Sequence, residues 1–136
     1  MKYAGLMKQS LVDYPGEIAA VLFTRGCNMR CPYCHNADLL LSSSQSRTND
    51  VEFTEILSYL KQRRGFLDAV VISGGEPTLN REMVEDIRAI KELGYKVKLD
   101  TNGTRPDFLA CLIDNQLLDY VAMDIKHKLV YSSYLQ

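Results

Sequence analysis

A chain of 136 residues with sixteen basic and seventeen acidic side chains has a net charge of −1 at neutral pH. It is one domain's worth of polypeptide, able to bury roughly two-thirds of the surface that it exposes when unfolded. Its balanced charge argues against a nucleic-acid stripe or a membrane-surface patch as partner. No apolar run approaches the roughly eighteen residues that a bilayer span needs, and Met1-Lys2-Tyr3-Ala4 does not open a signal segment, so a cytoplasmic protein is expected.

In chain order, Ile18 to Thr24 is a nearly continuous apolar run, as expected of a parallel strand covered on both faces. It leads into Arg25-Gly26-Cys27-Asn28-Met29-Arg30-Cys31-Pro32-Tyr33-Cys34-His35-Asn36, which places three cysteines within eight residues. In a reducing compartment, clustered thiols are metal ligands or catalytic groups more often than disulfides, and three so close cannot all pair. Three thiolates can hold a [4Fe-4S] cube while leaving one iron open, and an open position is where a substrate or cosubstrate binds. The competing reading is a structural zinc ion with His35 as fourth ligand, although a histidine directly after Cys34 gives cramped geometry for one tetrahedral ion. The serine-rich stretch Ser42 to Asp50 reads as an exposed loop without chemistry.

Phe53, Ile56, Leu57 and Leu60 then recur at helical spacing behind a Thr54 cap, and Ala69 to Ser73 forms a second buried strand. Met83, Val84, Ile87 and Ile90 mark a helix that begins near Asn80 and ends at Gly94, followed by a third strand from Lys96 to Asp100. Phe108, Leu109, Leu112 and Ile113 give another helix, on whose apolar stretch Cys111 reads as a small buried hydrophobe, and Tyr120 to Ile125 is the fourth strand. Strands alternating with helices imply an α/β fold with a parallel sheet or partial barrel.

Such folds bind ligands at the carboxyl ends of their strands. The second strand ends Ser73-Gly74-Gly75-Glu76-Pro77, where two glycines let the backbone approach a ligand and offer carbonyl acceptors to an ammonium group. The third ends Asp100-Thr101-Asn102-Gly103, a set of short oxygen-bearing side chains suited to hydroxyls or a cation. The fourth ends Asp124-Ile125-Lys126-His127, and alternation puts a carboxylate and an ammonium on one face, suited to a zwitterionic ligand such as an amino acid.

These motifs, with Ser10-Leu11-Val12-Asp13-Tyr14-Pro15-Gly16 ahead of them, give the chain a resemblance to radical S-adenosylmethionine (SAM) enzymes. Within that superfamily it resembles the activating enzymes of glycyl-radical proteins, and in particular the type that activates anaerobic ribonucleoside-triphosphate reductase. The resemblance implies a partial parallel (β/α) barrel, with residues 1–136 as a single radical SAM core domain. A full core has more βα repeats than the four strands read here, so the chain is expected to be either a compact version whose open side is closed by its protein substrate or, the preferred reading, a truncated one whose polypeptide continues past Gln136.

The resemblance also implies that Cys27, Cys31 and Cys34 hold a [4Fe-4S] cluster whose open iron is chelated by SAM. One electron, from a low-potential donor such as flavodoxin or ferredoxin, then yields methionine and a 5′-deoxyadenosyl radical that takes a hydrogen atom from a partner's glycine. By motif position, Gly74, Gly75 and Glu76 receive the methionine ammonium, through backbone carbonyls more than the carboxylate. Asp100, Thr101 and Asn102 lie near the ribose or methionine end, Lys126 near the carboxylate with Asp124 beside it as a further SAM contact, the Tyr33 backbone near adenine, and Asp13 at the mouth where the glycine loop enters. Two alternatives are a radical SAM enzyme with a small-molecule substrate and an electron-transfer module without SAM chemistry. The second would need no SAM site, so the strand-end motifs argue against it.

Overall fold

The computed structural model describes residues 1–26 and 50–123. The cysteine loop, the serine-rich stretch before Asp50 and the motif from Asp124 to His127 lie outside the described residues. Four strands pair in parallel: β3 (Ala19–Thr24), β5 (Ala69–Gly74), β6 (Lys96–Thr101) and β7 (Tyr120–Met123). All four are strands expected from the sequence, β3 and β5 from apolar runs and β6 from alternation, and the expected end of β7 at Ile125 lies outside the described residues. An additional strand, β2 (Gly5–Ser10), joins antiparallel beside β3, so the sheet order is β2-β3-β5-β6-β7. Three of the six residues of β2 are exposed, which explains why it leaves no apolar signature in the sequence. Two short strands, β1 (Lys2–Tyr3) and β4 (Val51–Glu52), form a separate antiparallel pair.

The side chains of the sheet divide between two faces by the alternation of extended chain. Ala20, Leu22, Val70, Ile72, Val97 and Leu99 point to the face where the helices pack. There α1 (Phe53–Gln62) contributes Ile56 and Leu60, α2 (Met83–Glu92) contributes Met83, Ile87 and Ile90, and α3 (Pro106–Asp114) contributes Leu109 and Leu112. All these side chains are buried, and truncating one of the large ones to alanine removes about 2–5 kcal/mol of stability. The opposite face carries Ala19, Val21, Ala69 and Val71 beneath the ring of Tyr14. No described helix packs on this second cluster.

Local expectations are corrected at three places. Thr54 lies inside α1, whose amino-terminal boundary residue is Glu52 with no side-chain cap. A short 3-10 turn over Pro77–Leu79 follows β5, and α2 starts at Met83, not near Asn80, because the chain first completes that turn with Asn80 N donating to Pro77 O at 3.0 Å. Cys111 is exposed, not buried, because α3 turns Leu109 and Leu112 toward the sheet and leaves Cys111 and Ile113 on its solvent side.

Candidate functional site

The first piece of the site is backbone. Gly74 adopts a left-handed φ of 106°, and Gly75 N then donates to Thr24 O at 3.1 Å while Glu76 N donates to Gly26 O at 2.7 Å. Chain from the end of β5 is thereby clamped to the residues that lead directly into Cys27. A methyl group on Gly75 would sit 1.9 Å from Gly26 O, and one on Gly74 would sit 2.4 Å from Thr24 N. The two glycines are thus required for a backbone-to-backbone approach, whatever ligand the turn also meets.

Glu76 makes the second connection. Its side chain is fully buried, yet it is surrounded by donors. Oε2 accepts from Thr78 N at 3.1 Å, from the Thr78 hydroxyl and from Thr101 Oγ1 at 2.6 Å, while Oε1 accepts from Asn102 N at 2.7 Å. A buried carboxylate is tolerable only when so satisfied. The carboxylate therefore ties the turn after β5 to the turn after β6. Asn102 also accepts from Thr104 N at 3.1 Å, and Met123 packs over Gly103 at the end of β7.

Asp100 lies on the other face of β6 from Thr101, so the cluster from Asp100 to Asn102 is split by strand alternation. The Lys98 ammonium is 2.9 Å from Asp100 Oδ1, donates to Asp13 O at 2.6 Å and lies 5.6 Å from the centre of the Tyr120 ring. Asp100 Oδ1 is nonetheless buried without a directed hydrogen bond, its charge balanced by the lysine. Asp13 stands on the turn before β3, at the amino ends of the parallel strands, with its carboxylate accepting from Ser10 Oγ at 2.5 Å. Next to it, burial and the nearby Asp119 carboxylate raise the Tyr14 hydroxyl above the ordinary tyrosine range, and its ring packs edge-on against Tyr120, 5.6 Å between ring centres.

The structure thus brings Gly74, Gly75, Glu76, Thr101 and Asn102 into one hydrogen-bonded rim, with Asp100 on the side of the sheet where no described helix packs and Asp13 toward the opposite end of the strands. Cys27, Cys31, Cys34, Tyr33, Asp124 and Lys126 lie outside the described residues. Sequence reasoning missed Thr78 and Lys98. Thr78 follows Glu76 at the spacing of a local side-chain cap, and Lys98 alternates with Asp100 along a buried strand, so both carried a faint signal.

The Radical SAM superfamily model matches residues 21–127. The chain belongs to the radical SAM superfamily. Membership brings the cofactors of the family, a [4Fe-4S] cluster and SAM. A protein of Methanocaldococcus jannaschii, provisionally named a glycyl-radical enzyme activating enzyme, is 48% identical over 124 residues, covering 90% of this chain and 49% of the relative. The pyruvate formate-lyase-activating enzyme of Staphylococcus aureus is 40% identical over 124 residues, covering 85% of this chain and 49% of that protein. This radical SAM chain therefore spans about half the length of these curated relatives. QueE from Escherichia coli shares the fold with a TM-score of 0.56 at 19% identity, over 76% of this chain and 52% of that one. Among the described residues, no helix is long and apolar enough to cross a membrane.

Proposed function

We propose that this radical SAM chain is the core of an activating enzyme that generates a glycyl radical on a partner protein. The observation that carries the reading is the clamp between Glu76 N and Gly26 O at 2.7 Å, which fixes the glycine turn of β5 at the foot of the cysteine loop. A ligand held by that turn would lie beside whatever the three thiolates bind.

The residues present fit the cofactors. Three thiolates from Cys27, Cys31 and Cys34 suit a [4Fe-4S] cluster with an open iron, and Asp100 Oδ1 is a buried acceptor without a directed hydrogen bond, with only the Lys98 ammonium beside it. Reduced in place, the cluster supplies the electron for reductive cleavage of SAM and so for hydrogen-atom abstraction. The chain's own residues orient. Backbone around Gly74 and Gly75 receives the methionine ammonium, while Glu76 holds that turn to Thr101 and Asn102 and does not itself contact SAM. Lys126 addresses the methionine carboxylate, with Asp124 beside it as the complementary charge for a zwitterionic ligand, and the Tyr33 backbone addresses adenine.

The partner is an anaerobic ribonucleoside-triphosphate reductase on the strength of the sequence motifs. Pyruvate formate-lyase is the competing partner, on the strength of the 40%-identical relative that carries its name. A low-potential donor such as flavodoxin or ferredoxin supplies the electron, in a cytoplasmic setting that keeps the thiols reduced. Anaerobic reconstitution is expected to load about four irons per chain, and dithionite reduction with SAM to release 5′-deoxyadenosine. Adding each candidate partner and recording a spin-resonance spectrum then identifies which one acquires the glycine-centred doublet. Uptake of stoichiometric zinc with no iron, or a Cys31→Ala variant with a normal cluster and normal cleavage, would overturn the reading.

A further inference from the structure

The segment that bears the three cysteines enters at Gly26 and leaves at Asp50. Both feet are pinned. On the entry side, Thr24 O and Gly26 O accept from Gly75 N and Glu76 N at 3.1 and 2.7 Å. On the exit side, Val51 and Glu52 pair with Tyr3 and Lys2, and Phe53 N donates to Met1 O at 3.0 Å. Across the gap between the feet, the Arg25 guanidinium is ion-paired with the Asp50 carboxylate, and the two side chains are only 12% and 11% exposed. Nothing local in the sequence links residues 25 positions apart, and Asp50 stands at the end of a stretch that reads as an inert loop.

Building on the cluster assignment proposed above, we propose that the Arg25–Asp50 pair is a positioning element for the cysteine loop, closing its two ends so that the thiolates are presented over a fixed span. The physical case is preorganisation. A flexible segment with free ends must lose end-to-end freedom each time it wraps a metal centre, whereas a segment closed at its base has already lost it. A surface ion pair would be too weak for this, since screening leaves such pairs little net energy. A largely buried, charge-assisted pair next to backbone clamps is held far more firmly. Arginine suits the position, because its planar fork constrains direction as well as distance.

The test compares anaerobically reconstituted wild type with Asp50→Asn, Asp50→Glu and Arg25→Gln. Each is assayed for iron per chain, for the rate of iron loss to excess chelator, and for the spin-resonance spectrum of the reduced cluster with and without SAM. Thermal unfolding of the cluster-free forms runs in parallel. Asp50→Asn and Arg25→Gln are expected to lose iron about tenfold faster or more, the usual scale for residues that orient metal ligands, with an altered spectrum. Asp50→Glu, which keeps the charge, is expected to recover most of the wild-type retention. Wild-type retention and spectrum in Asp50→Asn would overturn the proposal, as would iron loss that merely followed cluster-free unfolding across all variants. A wild-type chain that takes up no iron would instead overturn the cluster assignment itself.

Discussion

Both carboxylate oxygens of Glu76 are occupied by protein donors, and this changes what substitutions at the glycine turn should do. Exchange of Glu76 for Gln puts an amide N–H against donors from Thr78 and Thr101 or from Asn102. The expected loss is about 1–3 kcal/mol, the cost of leaving buried polar groups unpaired, read from urea unfolding. The cluster-free chain should show it as clearly as the loaded one, because the four donors belong to the protein. Gly75→Ala acts differently, since its new methyl group would meet backbone at 1.9 Å and no side chain can swing aside. Destabilisation of about 1–3 kcal/mol or more is expected from that overlap, again by urea unfolding. A Gly75→Ala chain as stable as wild type would show that the turn does not sit against Gly26. Cys111→Ser, by contrast, touches an exposed thiol and should change stability by less than about 0.5 kcal/mol.

At the scale of elements, β1 is fastened to α2 by a buried polar contact, with Tyr3 donating to Asp86 Oδ2 at 3.0 Å. Burial raises the Asp86 carboxyl above the ordinary aspartate range, against the opposing pull of the Tyr3 hydroxyl and the Met1 amino group. The folded chain therefore holds this proton more tightly than the unfolded chain does. Asp86 favours folding at pH values below the ordinary aspartate pKa, and that advantage is lost as pH rises through its folded value. The stability of wild type relative to Asp86→Asn should accordingly fall as the pH of the urea titration is raised from about 4 to 7. A difference that grew with pH would mean that the carboxylate is held as a stabilising anion. The same pair accompanies the full burial of Tyr3 near the start of the chain, and that burial, with the Asp86 carboxylate beside it, pushes the tyrosine hydroxyl above its ordinary range as well.

Across the whole molecule, the sheet is asymmetric in its covering. One face carries the helices and a continuous cluster of large side chains, and the other carries alanines and valines closed at the amino ends by Tyr14. β5 is hydrogen-bonded to parallel partners on both sides, whereas β2 and β7 are the outermost strands of the described sheet. Backbone amide exchange should therefore be slowest in β5 and its neighbours β3 and β6, and faster in β2 and β7, as measured by mass spectrometry or magnetic resonance on the cluster-free chain. Uniform protection across the five strands would indicate that further structure covers the edges.

Strands β3 and β5 were legible in the sequence because strands buried on both faces must be apolar throughout, and residues 19–24 and 69–72 are buried almost without exception, whereas β6 was legible from its alternation of polar and apolar residues. The cysteine spacing and the strand-end motifs were equally legible, since their chemistry is local. The antiparallel strand β2 was not, because an edge strand can be polar where it faces solvent. Nor was the division of labour among Asp100, Thr101 and Asn102, which rests on which side of β6 each residue faces and on a glutamate 24 positions upstream of the first of them. Sequence by itself determined the fold class and offered the candidate donor set, through residue type and spacing. Only the tertiary structure decided that Glu76 is turned inward as a tie and that Arg25 meets Asp50, because buried charges are assigned by the partners that chain folding delivers to them.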